Sequence, residues 1–139
     1  SVWTWGSGSN GKLGHGGDEN CSKPMKISHF STMGVKVSFA EAGCEHTAAV
    51  DSNGGLWTWG QGDSGRLGHG DGGAGESLPK KVKMEDTKVV GLAVGDKYNI
   101  IIVESVDSAP IEAKESFDTI SEPAAVDTQN PPQELTMSW

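Results

Sequence analysis

The fourteen residues Trp57-Thr-Trp-Gly-Gln-Gly-Asp-Ser-Gly-Arg-Leu-Gly-His-Gly70 repeat an earlier stretch, Trp3-Thr-Trp-Gly-Ser-Gly-Ser-Asn-Gly-Lys-Leu-Gly-His-Gly16. At a shift of 54, residues 1–16 and 55–70 agree at ten of sixteen positions, and Lys12 is replaced by Arg66. Such a repeat constrains the architecture before any local reading does, because each copy must fold alike and pack on its neighbour. Trp5 and Trp59 should then occupy equivalent places.

The segments between the copies read as short strands. Val2–Trp5 is aromatic and β-branched, Val35–Phe39 alternates and runs on through Ala42, and His46–Val50 follows. Asp51-Ser-Asn-Gly-Gly55 is the strongest turn signal, and its Asn-Gly pair favours a type I′ hairpin into Leu56–Trp59. Pro24–Ser28 reads as an edge strand, because proline cannot donate to a central ladder. The second unit repeats the order in Pro79–Met84, Lys88–Gly95 and Tyr98–Val103. No stretch of 1–104 sustains a helical period, so the expected class is all-β. Four-stranded units of about fifty residues are the mark of propeller blades. The expectation is a partial β-propeller of about two four-stranded blades, blade one over 2–55 and blade two over 56–104. A blade cannot bury both faces alone, so residues 1–104 in isolation should be marginal or should associate.

Composition changes after Glu104. All 20 glycines lie at or before Gly95, and four of the six prolines lie in 105–139. Residues 1–104 hold 12 acids and 10 bases, net −2; residues 105–139 hold 7 acids and one base, net −6, which together give −8. A segment so acidic and poor in large apolar residues buries too little to offset its ordering entropy. Residues 105–139 therefore read as a disordered acidic tail or linker, with Ile111–Ile120 a candidate transient helix. The chain opens at Ser1 directly before a strand, and reads as a piece of something longer.

In order, Val-Trp-Thr-Trp-Gly-x-Gly-x-x-Gly-(Lys/Arg)-Leu-Gly-His-Gly, a proline, then Ala42-Gly-Cys-Glu-His-Thr-Ala-Ala-Val50 and the returning Leu-Trp-Thr-Trp-Gly60 closely resemble the regulator of chromosome condensation repeat. The resemblance covers about residues 2–104. It implies a seven-bladed propeller of which this chain holds about two blades. The glycine-rich loop looks most like the propeller modules of giant HECT-type ubiquitin ligases. The family's plant ultraviolet-B receptor carries Trp-Arg-His-Thr where this chain reads Cys44-Glu-His-Thr47, so light sensing is not carried over. Tyr98 stands where the pattern has His46, and the closing Trp-Gly strand is missing from unit two.

Chemistry finds little support. Gly6-x-Gly8-x-x-Gly11 and Gly60-x-Gly62-x-x-Gly65 fit the dinucleotide fingerprint, but that motif needs a helix next, and Lys-Leu-Gly-His-Gly is a poor helix former. His15, His29, His46 and His69 read as structural hydrogen-bonding groups, with His15 and His69 one blade apart. Cys21 and Cys44 form no ligand or redox motif, and suit a reducing compartment, cytoplasmic or nuclear. Nucleic acid is disfavoured by the net charge. The modest cluster Lys80, Lys81, Lys83 and Lys88 reads as a solvated edge that discourages strand pairing. No catalytic, cofactor or metal residue is assigned. The first reading is a non-catalytic protein–protein interaction module within a larger protein such as a ubiquitin ligase. Its projecting loops would be Gly16–Lys23 and Gly70–Leu78. The alternative implied by the resemblance is nucleotide exchange on a Ran-like small GTPase.

Overall fold

The computed structural model describes residues 1–104; the expected tail over 105–139 and the helix at Ile111–Ile120 lie outside them. Eight antiparallel strands form three sheets: β1 (Trp3–Gly6) with β2 (Cys21–Lys26); β3 (Val37–Ala42), β4 (His46–Asp51), β5 (Leu56–Gly60) and β6 (Glu76–Lys81) in that order; and β7 (Lys88–Val94) with β8 (Asn99–Glu104). The strand content is the two blades' worth expected, but it is divided differently. The one whole four-stranded sheet among the described residues spans 37–81, and each end of the described chain supplies a half-sheet. The boundaries expected at 2–55 and 56–104 mark the repeat of the sequence, not the sheet. The physical reason lies in the Asp51–Gly55 hairpin, which joins β4 to β5 by continuous pairing from His46↔Gly60 to Val50↔Leu56. A hairpin cannot be shared between two sheets, so the sequence repeat is cut inside a blade.

That hairpin also departs from the expected turn. Gly54 has φ +82, whereas Asn53 is not among the residues with positive φ, so both centres of a type I′ turn are not met. Gly54 N donates to Asp51 O at 3.0 Å and Asp51 N to Gly55 O at 2.9 Å. This is a three-residue loop closed by a left-handed glycine. Asp51 selects it. Its Oδ1 accepts from the Asn53 and Gly55 amides at 2.9 and 2.8 Å, and its Oδ2 from the Trp57 indole at 2.9 Å.

Alternation along β4 and β5 sends their side chains to two cores. Ala49, Trp57 and Trp59 pack with Ile27 and Phe30 on one side; Ala48, Val50 and Leu56 pack with Val82 and Val89 on the other. Every residue of β4 and β5 is buried, because the loop after β1, Ile27 and Phe30 cover one face, and Val82 with the β7–β8 sheet covers the other. The prolines sit where expected: Pro24 in β2 and Pro79 in β6, both edge strands. One element escaped the sequence reading. Ser28–Thr32 forms a single α-helical turn in place of the end of the expected strand Pro24–Ser28. Its buried Phe30 meets Trp57 and Trp59 edge-on, with ring centroids 5.6 and 5.9 Å away. One turn is too short to show periodicity, so burial of Phe30 under the tryptophans decides it.

Candidate partner-binding groove

The glycine-rich loops after β1 and β5 are built alike. Gly8 and Gly62 open each at φ −95 and −96, and Asn10 and Ser64 take left-handed φ of 59 and 62 inside a single 3₁₀ turn. Both glycine fingerprints thus lead into a three-residue turn and not the helix that a pyrophosphate site requires. A Cβ on Gly62 would lie 1.9 Å from Ala74 O, and on Gly8 2.0 Å from Glu19 O, so each loop folds back onto the segment that leads into its next strand only where a side chain is missing.

The next residues anchor each loop to the sheets. Thr4 Oγ1 donates to Leu13 O at 2.7 Å and lies 2.9 Å from His15 Nε2; Thr58 Oγ1 donates to Leu67 O at 2.7 Å and lies 3.1 Å from His69 Nε2. With the hydroxyl proton already committed, each imidazole must donate through Nε2. His15 and His69 therefore serve separate sheets and do not converge. Burial first, and then the Lys80 charge, pushes the His69 pKa down. His46 is fully buried in β4, with Nε2 2.9 Å from Asn99 Oδ1, and burial lowers its pKa too. Asn99 uses its amide N–H on Arg66 O, so His46 Nε2 is the donor and its Nδ1 is left without a partner.

The basic residue of each loop clamps the next sheet. Lys12 Nζ reaches Cys44 O at 3.3 Å and Glu45 Oε2 at 3.1 Å; Arg66 reaches Asp96 O at 3.2 Å. Hydrogen bonds from Asn10 and then Lys12 hold Glu45 below the usual carboxylate range.

Beyond these anchors, the loops expected to project, Gly16–Lys23 and Gly70–Leu78, come together. Gly16 N donates to Ser77 O at 2.9 Å. Between them runs an open groove of about 730 Å³, whose lining includes Asp18, Glu19, Asp63 and Glu76 together with Asn10 and Gln61. Glu76 is paired with Lys80, which also lies 3.5 Å from Asp71. The Glu76 hydrogen bond raises the Lys80 pKa. Asp18, Glu19 and Asp63 make no ion pair among the described residues, so the groove presents uncompensated negative charge. The lysine cluster serves the outer edge: Lys80 and Lys81 lie on edge strand β6, and Lys81 Nζ stands 3.8 Å from Asp51 and 6.0 Å from the Trp57 ring. Lys88 pairs with Glu104 at 2.6 Å. Cys21 and Cys44 are free thiols. No three His, Cys, Asp or Glu side chains among the described residues gather as metal ligands do, and no described helix is long and apolar enough to cross a membrane.

The paired loops and strands have close counterparts in known proteins. The family model of the regulator of chromosome condensation (RCC1) repeat matches residues 1–50 and 53–102. The human E3 ubiquitin-protein ligase HERC2 is 39% identical over 106 residues, which are 75% of this chain and 2% of that protein. The ultraviolet-B receptor UVR8 of Arabidopsis thaliana is 46% identical over 70 residues, 50% of this chain and 16% of that protein. This chain therefore spans a small fraction of either relative. In the crystal structure of Kap60 bound to yeast RCC1 (Prp20), the matching chain superposes with a TM-score of 0.63 at 29% identity, over 73% of this chain and 25% of that one. A twofold match to the repeat, antiparallel sheets in propeller order and loops that agree in backbone and hydrogen bonding place this chain in the regulator of chromosome condensation (RCC1) repeat family.

Proposed function

We propose that this propeller fragment is a protein-interaction module that presents the groove between residues 16–23 and 70–78 to a partner segment carrying lysine or arginine. The observation that carries the reading is the joining of two unlike loops into one acidic groove, on a frame whose His15, His46, His69 and loop glycines are occupied with holding the fold. Within a longer protein such a module would recruit substrates or regulators; the likeness to HERC2, of which this chain spans 2%, supports a ubiquitin ligase as that setting. The two free thiols support a reducing compartment, cytoplasmic or nuclear.

The test is affinity capture with the full chain and with Asp18→Lys/Asp63→Lys, both exposed positions. Partners recovered by the wild-type chain and lost with the double variant support the groove. Equal recovery by both removes it. Membership of the regulator of chromosome condensation repeat family leaves one second reading, exchange of nucleotide on a Ran-like small GTPase, which the resemblance implies. Release of a fluorescent guanine nucleotide, accelerated by this chain, would establish that reading in its place.

A further inference from the structure

A second surface, opposite in character to the acidic groove, lies where the helical turn Ser28–Thr32 faces edge strand β6. His29 and Met33 stand four residues apart, on one side of that turn. Its end is fixed: Met33 N donates to His29 O at 3.0 Å, Gly34 takes a left-handed φ of +66, and Val35 N donates to Phe30 O at 2.8 Å. Across from it, the register Trp57↔Lys81 sets Lys81 beside the tryptophan, with Nζ 6.0 Å from the ring. Between turn and strand opens a groove of about 410 Å³. Trp57 and Pro79 line it as buried side chains, and Met33 and Leu78 line it at 54% and 40% exposure. Most other exposed large apolar side chains belong to the two half-sheets or the turn between β7 and β8. Met33 and Leu78 do not, and every element lining this groove has its sequence neighbours among the described residues.

The charges around the groove are unequally committed. Lys80 is held by Glu76 and Asp71. Lys81 has one carboxylate within 4 Å among the described residues, that of Asp51 at 3.8 Å. The Asp51 side chain is 5% exposed, and its oxygens already accept from two amides and an indole. The Lys81 side chain stays 57% exposed, so its ammonium keeps donors for a further acceptor. Strand addition along β6 is disfavoured, because Pro79 has no N–H to offer and Ser77 O is taken by Gly16 N. An occupant must therefore enter by its side chains.

We propose that this face docks a partner segment in which a bulky apolar side chain stands within a residue or two of a carboxylate. The apolar side chain lies against Trp57, Pro79, Met33 and Leu78, and the carboxylate accepts from Lys81 Nζ. The two contacts support each other. Covering the patch excludes water around the ion pair and strengthens it, and the charge selects among apolar segments that would otherwise fit equally. The acidic groove takes cations and this face takes an anion with an apolar anchor, so the module offers two surfaces of different specificity.

NMR titration of the isotopically labelled full chain tests this. The probes are three capped peptides: Glu-Asp-Phe-Glu-Asp, the same peptide with alanine for phenylalanine, and phenylalanine flanked by lysines. The first should shift the amides of His29, Met33, Leu78 and Lys81 and the Trp57 indole N–H saturably. The other two should bind there at least about fivefold more weakly. This comparison uses the wild-type chain and holds even if a variant misfolds. Met33→Ser and Lys81→Gln, both at exposed positions, should each weaken the first peptide by about fivefold. No shift at these residues overturns the proposal. So does equal binding of the lysine-flanked peptide, or of the alanine peptide, or variants that bind the first peptide like wild type. Neither Met33 nor Lys81 lines the groove of Asp18 and Asp63, so the two surfaces are read separately.

Discussion

Trp-Thr-Trp-Gly occurs in β1 and again in β5, with the same threonine contacts and nearly the same terminal glycine, at φ +105 and +106. Yet Trp57 and Trp59 are 3% and 0% exposed, while Trp3 and Trp5 are 53% and 59% exposed. The two tryptophan pairs are equivalent in backbone and anchoring, and unlike in cover. For β5 the chain supplies Lys12–Gly14, Ile27 and Phe30 as a lid, and β4 as a neighbour. For β1 it supplies neither among the described residues. Identical side chains on identical backbones therefore contribute unequally, because the stabilisation by an apolar surface scales with the area a neighbour removes from water.

The largest expected effect sets the two pairs against each other. Trp59→Ala should lower stability by about 4 kcal/mol in urea denaturation, as large-to-small changes in cores do. Trp5→Ala, measured at concentrations where the chain is monomeric, should stay within about 0.5 kcal/mol. Similar losses at both positions would break the contrast. Asp51→Ala comes next, at roughly 2–3 kcal/mol, because it strands the buried Trp57 indole and two turn amides. Burial opposes ionisation of Asp51, but the indole and the Gly55 and Asn53 amides outweigh it and hold the carboxyl below its ordinary value. The threonines sharpen the comparison. Thr58→Val, at a buried hydroxyl, should cost about 2 kcal/mol, and Thr4→Val, at a half-buried one, about 1 kcal/mol.

The smallest effect is that of pH on the covered side. Burial depresses the pKa of both His46 and His69 from the usual 6.5. As pH falls below 6.5, the unfolded chain takes up protons that the folded chain refuses, so stability declines until the folded-state values are reached and is fully present above 6.5. Urea midpoints should drop between pH 7 and pH 5.5, and less so in His46→Gln. A flat profile would mean that neither imidazole is as dry as its burial implies.

Much of the fold was legible in the chain. The paired Trp-Thr-Trp-Gly segments, the edge prolines and the Asp51–Gly55 reversal all carry local chemistry that acts within a few residues. The stretches 16–23 and 70–78 were legible as the places where the two copies differ, although Cys21–Lys23 and Glu76–Leu78, expected in loops, belong to β2 and β6. What escaped was non-local. Ser28–Thr32 is helical because Phe30 has two tryptophans to meet, and those lie some thirty residues on. The Asn-Gly pair promised a type I′ turn, but Asp51, capping two amides and an indole, selected a longer loop.

The sequence by itself determined that one unit was written twice, that it is made of strands, and which residues turn the chain, because periodicity, proline and glycine act locally. Only the tertiary structure decided where one sheet ends and the next begins, which tryptophans are covered, and that two loops share a groove. Those outcomes depend on hydrogen bonds and contacts between residues far apart in the chain, and a repeat looks the same to itself whether or not a neighbour is there to cover it.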